Sequence, residues 1–359
     1  MPDYPGVFIE ETPYGPRPIE GVDTDIAAFL GETADGPAEP TRVHSLTEYQ
    51  RLFGAGPGRM ADAMAGFFAN GGRRAVIVRV AGADYGAALT ALEGEGGAGV
   101  SLVYAPDGLS TPGLAEQLID HCERLRDRFA VIDAPQGADP KTPRTGWDTG
   151  YAAYYYPWLA IADPAIGGTR LVPPGGHVLG VYVRVDTERG VWKAPANEAV
   201  RGAVGLERNV TDREQDELNP IGVNVIRGFP GRGILIWGAR TLSSDPEWKY
   251  VSVRRYFIFL ERSIEVGLQW VVFEPNGEQL WAKVRDTVRL FLRGQWRTGA
   301  LQGQTEDKAF YVRCDRTTMT QNDLDNGRLI CEIGIASIKP AEFVIIRIGL
   351  WTADHHDPP

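Results

Sequence analysis

The 359-residue sequence is poor in cysteine, in basic charge and in long apolar runs, and each shortage removes a class of protein. The three cysteines, Cys122, Cys314 and Cys331, lack the spacing of a zinc site, so we expect buried, reduced thiols. The formal net charge of −10 argues against a nucleic-acid partner, because phosphate recognition needs a basic surface. No window approaches the ~20 apolar residues of a membrane span, and the start lacks a signal-peptide pattern. We therefore expect a chain made in the cytoplasm without membrane insertion.

Catalytic and cofactor motifs are also missing. The glycines of 228–238 (GFPGRGILIWG) precede a strand instead of linking a strand to a helix, so they predict a tight loop and not a phosphate site. The pair His355 and His356 has no second ligand pair, which favours a solvated tail. Asp323 and Asp325 lack the spacing of a calcium loop and predict a polar turn between strands. No GxSxG elbow is present. We expect no enzyme activity, no cofactor and no metal.

The first two-thirds of the chain alternates strand-like and helix-like runs. Strands are predicted at 24–30, 75–80, 100–104 and 129–133, and helices at 45–53, 60–70 and 114–128. This alternation predicts a layered α/β domain. The stretch 135–219 is rich in proline and glycine and is predicted to be irregular, with helical pieces. Two strands, 222–227 and 233–237, then lead to the end of the domain near Arg240.

The remaining third predicts a second, smaller α/β domain. The segment SSDPEW (243–248) is predicted to cap a helix with Pro246 in its first turn. A helix is predicted at 254–269, a long amphipathic helix at 278–297, and strands at 270–273, 311–314, 329–338 and 343–351. The long helix carries a ladder of basic residues that is a candidate electrostatic contact, because its sign opposes the net charge. We call this ladder the arginine stripe; it consists of Arg285, Arg289, Arg293 and Arg297.

Both ends of the chain contain apolar strand-like runs without an evident partner. The first lies between prolines that leave it no nearby hairpin partner. An arm of twenty residues can span ~65 Å, against a radius of gyration of ~21 Å for a compact chain of this length. The residues alone leave two alternatives open: the ends fold back onto their own domain, or they add strands to another subunit. The residues concerned are Val7, Phe8, Ile9 and Glu10, and Phe343, Val344, Ile345, Ile346, Arg347 and Ile348.

The sequence resembles the contractile tail sheath proteins of phages and of related bacterial injection systems. The similarity extends over nearly the whole chain in the family's order, and it implies that the chain lacks the family's large inserted outer domains. The matching segments are YPGVFIEE, RPIEGVDTDIAAFLG, FFANGGRRAVIVRV, YYYPWL, RGVWKAPAN, GLERNVTDREQDELNPIGVNVIRGFPGRGILIWGARTL, SSDPEWKYVSVRRYFIFLERSI, QWVVFEPN, LWAKVRDTVRLFL and FYVRCDRTTMTQNDLDNGRLICEIGIASIKPAEFVIIRI.

The resemblance implies a two-domain α/β (α+β) sheath subunit. Its expected parts are an N-terminal arm (1–20), an outer α/β domain (21–240), an inner C-terminal domain (241–340) and a C-terminal arm (341–359). Both arms are expected to donate strands that complete a sheet in the C-terminal domain of neighbouring subunits. The expected partners are further copies in a six-fold helical sheath, the inner tube protein, and baseplate and terminal cap proteins. Alternatives are another structural subunit of the same apparatus, baseplate or tube-associated, or a soluble α/β enzyme.

Overall fold

The chain folds around a large mixed sheet in the computed structural model, which describes residues 18–108, 110–139 and 146–346. The strands within these ranges are β1 (Ile26–Gly31), β2 (Thr41–Val43), β3 (Arg74–Arg79), β4 (Leu102–Tyr104), β5 (Phe129–Asp133), β6 (Ala152–Tyr156), β7 (Leu159–Asp163), β8 (Gly168–Val172), β9 (Glu198–Ala199), β10 (Ala203–Leu206), β11 (Val223–Phe229), β12 (Gly233–Ile236), β13 (Phe310–Arg313) and β14 (Glu332–Ile335).

Nine of these strands form one sheet in the order β2-β3-β1-β4-β5-β6-β11-β12-β9. The pairs from β3 to β11 are parallel, and the pairs at the two edges are antiparallel. Strands β1 and β5 are buried along their whole length, which agrees with their sequences, apolar apart from Asp133 at the end of β5, because a parallel sheet is covered on both faces. A separate antiparallel sheet has the order β10-β7-β8.

Helices cover both faces of the large sheet. The helices are α1 (Leu46–Phe53), α2 (Arg59–Ala69), α3 (Tyr85–Ala91), α4 (Leu114–Leu125), α5 (Gly175–Glu188), α6 (Asp212–Leu218), α7 (Val251–Gly267), α8 (Glu278–Arg297), α9 (Glu306–Ala309) and α10 (Gln321–Asp325). Apolar side chains of α1, α2 and α5 pack on one face, and those of α3, α4 and α6 pack on the other. The predicted layered α/β architecture is therefore present.

Helix α7 joins the large sheet to a second hydrophobic core. Its residues Val251 and Ile258 belong to the sheet core, whereas Tyr256 and Leu260 pack against α8. Helix α8 has the predicted bounds and buries the predicted face, which includes Val288. Beside it, β13 and β14 form a two-stranded antiparallel sheet. This part of the described chain is thus mainly helical.

The stretch 135–219, predicted to be irregular with helical pieces, contains regular elements: β6 lies inside the large sheet, β7 and β8 form a hairpin, and α5 is buried on nearly every side. The glycines of α5 that suggested a loop instead permit close helix packing. A Cβ atom added at Gly176 would lie 2.4 Å from the carbonyl oxygen of Ala63 in α2. The predicted helical pieces are therefore confirmed as α5 and α6, whereas the prediction that the rest of the stretch is irregular was wrong.

Three further predictions in the last third of the chain were wrong. SSDPEW does not begin a helix: the backbone N–H groups of Asp245 and Glu247 bond within the segment, and the helix begins only at Val251. The segment 270–273 is not a strand, since a 3₁₀ turn spans Gln269–Val271. The polar turn around Asp323 is the short helix α10, which has a capping box with Thr320. Strand β14 is also shorter than the predicted 329–338.

Candidate assembly surface

The chain between residues 18 and 24 is fixed along helix α7. Ile19 is buried beside Gly267, and the backbone N–H of Val22 donates to Ser263 Oγ at 3.0 Å. Because Gly267 ends α7, the described chain begins beside the C-terminal end of this helix.

A buried ion pair strengthens this contact. Arg255 of α7 donates to Asp186 of α5 at 2.7 Å, and both side chains are 4 % exposed. Thr24 donates its hydroxyl to the same carboxylate at 2.7 Å and accepts from Arg255 through its carbonyl oxygen at 2.9 Å. Burial raises the pKa of Asp186, although the charge of Arg255 opposes that rise. We call this group the N-terminal anchor; it consists of Thr24, Asp186 and Arg255.

A second charged cluster holds the other end of the described chain. Arg240 donates from Nε and Nη2 to the two carboxylate oxygens of Glu342 at 2.7 and 2.6 Å, which is a bidentate pair. Asn219 and Tyr250 donate to the same carboxylate at 3.3 Å each, and Lys249 Nζ lies 3.7 Å away. We call this cluster the C-terminal anchor; it consists of these five residues.

The electrostatics of the C-terminal anchor favour an ionised Glu342. Burial would raise the pKa of this carboxyl, but the hydrogen bonds and charge of Arg240, helped by Asn219 and Lys249, outweigh it and lower the pKa. The side chain of Arg240 is only 9 % exposed and that of Glu342 20 %. The pair is thus removed from most of the solvent.

Directly after Glu342 comes the most exposed apolar run of the described chain. Phe343, Val344, Ile345 and Ile346 are 72, 80, 79 and 77 % exposed. They belong to no sheet or helix. Isolated apolar residues are common on protein surfaces, but a contiguous run of this kind marks an interaction surface. The described part of the predicted strand 343–351, residues 343–346, therefore has no strand partner within the described part of the chain.

The β13–β14 sheet is small and partly open. Tyr311 and Ile333 are 50 and 36 % exposed. Beyond β14, Leu301 forms an antiparallel bridge with Ser337, whereas no described strand pairs with the outer edge of β13. A two-stranded sheet is marginal alone and can accept further strands at an open edge.

The arginine stripe lies on one side of α8, as predicted, but part of its charge is compensated. Arg289 and Arg293 both donate to Glu306 of α9, at 2.9 and 2.7 Å. The hydrogen bond from Arg293, followed by that from Arg289, lowers the pKa of Glu306 to about 2. Arg285 contacts Asp286 at 3.4 Å. Arg297 is exposed and forms no ion pair within residues 18–108, 110–139 and 146–346.

A small crevice lies at the carboxyl ends of β4 and β5. It has a volume of about 200 Å³ and contains Arg59, Asp133 and Trp158. Tyr104 donates its hydroxyl to Asp133 at 2.5 Å, and burial raises the pKa of this carboxyl to about 7. No group of side chains in the described ranges could hold a metal ion. None of the helices described is both long and apolar enough to cross a bilayer.

The remaining predicted strand residues, Val7, Phe8, Ile9 and Glu10 together with Arg347 and Ile348, lie outside the described residues. Sequence reasoning also missed both anchors. Arg240 and Glu342 are separated by 102 residues, and single polar residues at such spacing carry no periodic signal. The only hint was the position of a glutamate immediately before an apolar run.

An α/β body with a charged anchor next to an exposed apolar run is characteristic of a protein that binds another protein chain. Comparison with known proteins identifies the family to which this protein belongs. The family models "Phage tail sheath protein central domain" and "Phage tail sheath C-terminal domain" match residues 79–242 and 243–350. The chain belongs to the phage tail sheath family.

Solved structures agree over the full length. The helical sheath of the anti-feeding prophage in its contracted state is 32 % identical, covers 99 % of this chain and 100 % of that one, and superposes with a TM-score of 0.82. The sheath complex of an extracellular contractile injection system, PVC, also in the contracted state, is 33 % identical. The match covers 99 % of this chain and 98 % of that one, with a TM-score of 0.81.

A prophage major tail sheath protein of Pseudomonas aeruginosa (strain UCBPP-PA14) is more distant. It is 26 % identical over 255 residues, which are 69 % of this chain and 64 % of that protein. A tail sheath protein of Burkholderia phage BcepMu is 28 % identical over 41 % of this chain and 33 % of its own length. The aligned regions therefore span less than two-thirds of these relatives.

Proposed function

We propose that the chain is the structural, non-catalytic subunit of a contractile sheath. In this proposal, copies polymerise in a six-fold helix around an inner tube, and the sheath shortens to drive the tube through a target envelope. The observation that carries the proposal is the exposed run 343–346, fixed at its base by the C-terminal anchor, in a chain similar along its length to sheaths of extracellular injection systems. The tube, the baseplate and a terminal cap are the proposed partners, and a phage tail or tail-like particle is the proposed location.

The exposed run would act as a donated strand. Four consecutive apolar residues without backbone partners are an aggregation hazard when left free. Addition to a neighbour's β13–β14 sheet would satisfy their N–H and C=O groups and bury their side chains. We propose the same role for Val7, Phe8, Ile9 and Glu10, and for Arg347 and Ile348.

The proposed parts of the subunit are the arm 1–20, the outer domain 21–240, the inner domain 241–340 and the arm 341–359. The two family models meet between residues 242 and 243, which supports a division near residue 240. An arm that links neighbours while rigid domains rotate needs a fixed base. The two anchors are suited to be those bases, because each ties the start of an arm to the body.

The experiment is negative-stain electron microscopy of the purified chain expressed alone. We expect hollow helical tubes from the full chain, and monomers or unconnected rings from variants that lack residues 1–18 or 343–359. The control is Ile166→Asp, which changes an apolar residue of similar exposure, 69 %, in the β7–β8 turn. Intact tubes from both truncations would refute strand donation. If the full chain remains a small particle even with the inner tube protein added, the sheath proposal itself is wrong.

We further propose that the arginine stripe contacts the tube or a neighbouring subunit. Arg297 is the sharpest test, because its reversal leaves the Glu306 pairs of the stripe intact. Arg297→Glu should impair assembly on the tube, whereas the control Arg213→Glu, at a side chain 92 % exposed on α6, should not. Normal extended sheaths from the Arg297 variant would contradict the role of that residue.

A further inference from the structure

Two cysteines lie opposite each other where the β13–β14 sheet ends. The register pairs Arg313 with Glu332, so the next opposing pair is Cys314 and Cys331. Farther along the same ladder, the backbone N–H of Ala336 donates to the carbonyl oxygen of Ala309 at 2.8 Å. Hydrogen-bonded and non-hydrogen-bonded pairs alternate in an antiparallel ladder. The cysteine pair is an odd number of steps from 309/336 and is therefore non-hydrogen-bonded.

This kind of pair places the two side chains unusually close together. The Cα atoms of a non-hydrogen-bonded pair are about 4.5 Å apart, and a disulfide requires a Cα separation of roughly 4.4–6.8 Å. Both thiols are free, and they lie close enough for each to shift the pKa of the other. No backbone movement of several ångströms is needed to join them.

The two thiols differ in access. Cys314 is fully buried among Trp281, Val284 and Met319, whereas Cys331 is partly exposed. A dissolved oxidant can therefore reach Cys331 but not Cys314. The third cysteine, Cys122, is buried in α4, far along the sequence, and has no cysteine partner in the described structure.

We propose that Cys314 and Cys331 are a redox modification site that closes to a disulfide when a small-molecule disulfide, such as oxidised glutathione, is present. The Cys331 thiolate attacks one glutathione sulfur, forms a mixed disulfide and releases one reduced glutathione. The Cys314 thiolate then attacks the Cys331 sulfur and displaces the second glutathione. Two protein thiols are oxidised, one disulfide oxidant is reduced to two thiols, and two protons move from protein to product.

The environment bears on each step differently. Interaction with Cys331 lowers the pKa of Cys314, which favours the thiolate at the resolving position, whereas interaction with Cys314 and burial raise the pKa of Cys331. The greater exposure of Cys331, and not a greater acidity, therefore makes it the first thiol to react. The bond formed would tie β13 to β14 across the segment that contains α10. It would thereby brace the small sheet, and this consequence does not depend on whether the sheet accepts strands from a neighbour.

The test is incubation of the full chain with oxidised glutathione, followed by thiol blocking, intact-mass measurement and peptide mapping. We expect the native chain to lose two hydrogens and to yield a peptide linked through 314 and 331, with Cys122 still reduced. Cys314→Ser should stop at the mixed disulfide and retain one glutathione. Cys331→Ser should take up none. The oxidised chain should unfold at a higher denaturant midpoint than the reduced chain, and Cys331→Ser should show no such shift.

Two outcomes would overturn the proposal. One is a native chain that retains glutathione on Cys331 without forming the link, which would show that the sulfurs cannot meet. The other is a native chain with three reduced thiols under conditions that oxidise the urea-unfolded chain. Because the native protein serves in both arms, neither outcome can be blamed on a variant that fails to fold.

Discussion

Replacement of Glu342 by alanine should loosen the C-terminal anchor and little else. The change leaves the guanidinium of Arg240, whose side chain is 9 % exposed, without its bidentate partner. Removal of one member of a fully buried pair costs about 3–5 kcal/mol. Because Glu342 is 20 % exposed and Arg240 keeps its bond to the Asn219 carbonyl oxygen, we expect a smaller loss, about 2–3 kcal/mol. That loss corresponds to a roughly 30- to 150-fold larger equilibrium constant for local opening.

Hydrogen–deuterium exchange of the full chain measures this effect where it occurs. Amides of the segments around residues 240–250 and 340–346 should lose protection in Glu342→Ala, and those of β5 should not. Glu274→Ala is the matched control, since Glu274 is exposed and its side chain makes no hydrogen bond or ion pair among the described residues, while its backbone bond to Val271 is kept in the variant. Replacing both members of the pair, Arg240→Met with Glu342→Leu, should be milder than Glu342→Ala, because no buried charge remains unpaired.

The pH dependence of this contribution is a second test, and the direction of the Glu342 pKa shift decides whether the contribution is lost in acid or in base. The pKa of Glu342 is lower in the folded chain than in the unfolded one, so its contribution is complete above the unfolded value of about 4.5 and is lost as the pH falls through the folded value. The difference in protection between the native chain and Glu342→Gln should therefore be constant near neutrality and should vanish in acid. Equal protection in the native chain, Glu342→Ala and Glu342→Gln at pH 7 would refute the reasoning.

Three other changes have defined outcomes. Asp186→Ala leaves Arg255 buried without its partner and should lower the free energy of unfolding by about 3–5 kcal/mol, measured by denaturant titration; a loss under 1 kcal/mol would contradict the burial of this pair. Glu306→Gln should destabilise the chain equally from pH 7 to pH 4.5 and match the native chain only near pH 2, because the pKa of Glu306 is lowered to about 2; convergence already at pH 4 would be inconsistent with the two arginine contacts. Gly176→Ala should cost about 1–3 kcal/mol by forcing α2 and α5 apart, whereas Gly294→Ala, with no atom within 4 Å of the added Cβ, should stabilise α8 by roughly 0.5–1 kcal/mol; effects of the same sign in one thermal melt would exclude this packing.

The elements that were predicted correctly from the sequence each contain a clear local pattern of apolar residues. Strand β5 consists of four apolar residues followed by Asp133 and is buried throughout, and α8 has a regular apolar face from Leu280 to Leu292. In both cases the order of apolar residues along the sequence reports which positions of that element are buried. Neither prediction needed knowledge of the packing partner.

The missed elements depend on their neighbours. Helix α5 contains several valines and glycines, which have low helix propensity, yet it is buried against α2 and the sheet. Tertiary packing overrides the local preference there. The segment 243–248 shows the reverse case, because good capping residues instead satisfy one another and the backbone within a turn. Of the candidate surface, the exposed run was predictable from composition, whereas the anchors that fix it were not.

Both anchors involve the same part of the chain, and this has a mechanical consequence. The C-terminal anchor uses Arg240 and Tyr250, which bracket the segment leading into α7, and the two residues are themselves joined by an antiparallel bridge. The N-terminal anchor uses Arg255 on the first turns of α7, and Ser263 near its end holds the adjacent backbone.

Helix α7 also contributes side chains to the core of the large sheet and to the core around α8. A force on either end of the described chain is therefore transmitted to α7 and its approach, at the N-terminal end together with Asp186 of α5, and through these elements to the two cores. If the ends link neighbouring subunits, as we propose, neighbours are coupled through one helix that both cores hold rigid, and not through the marginal two-stranded sheet. A rigid body with both linkers tied to one element can rotate as a unit while its linkers bend, which is the behaviour that a change between two packings requires.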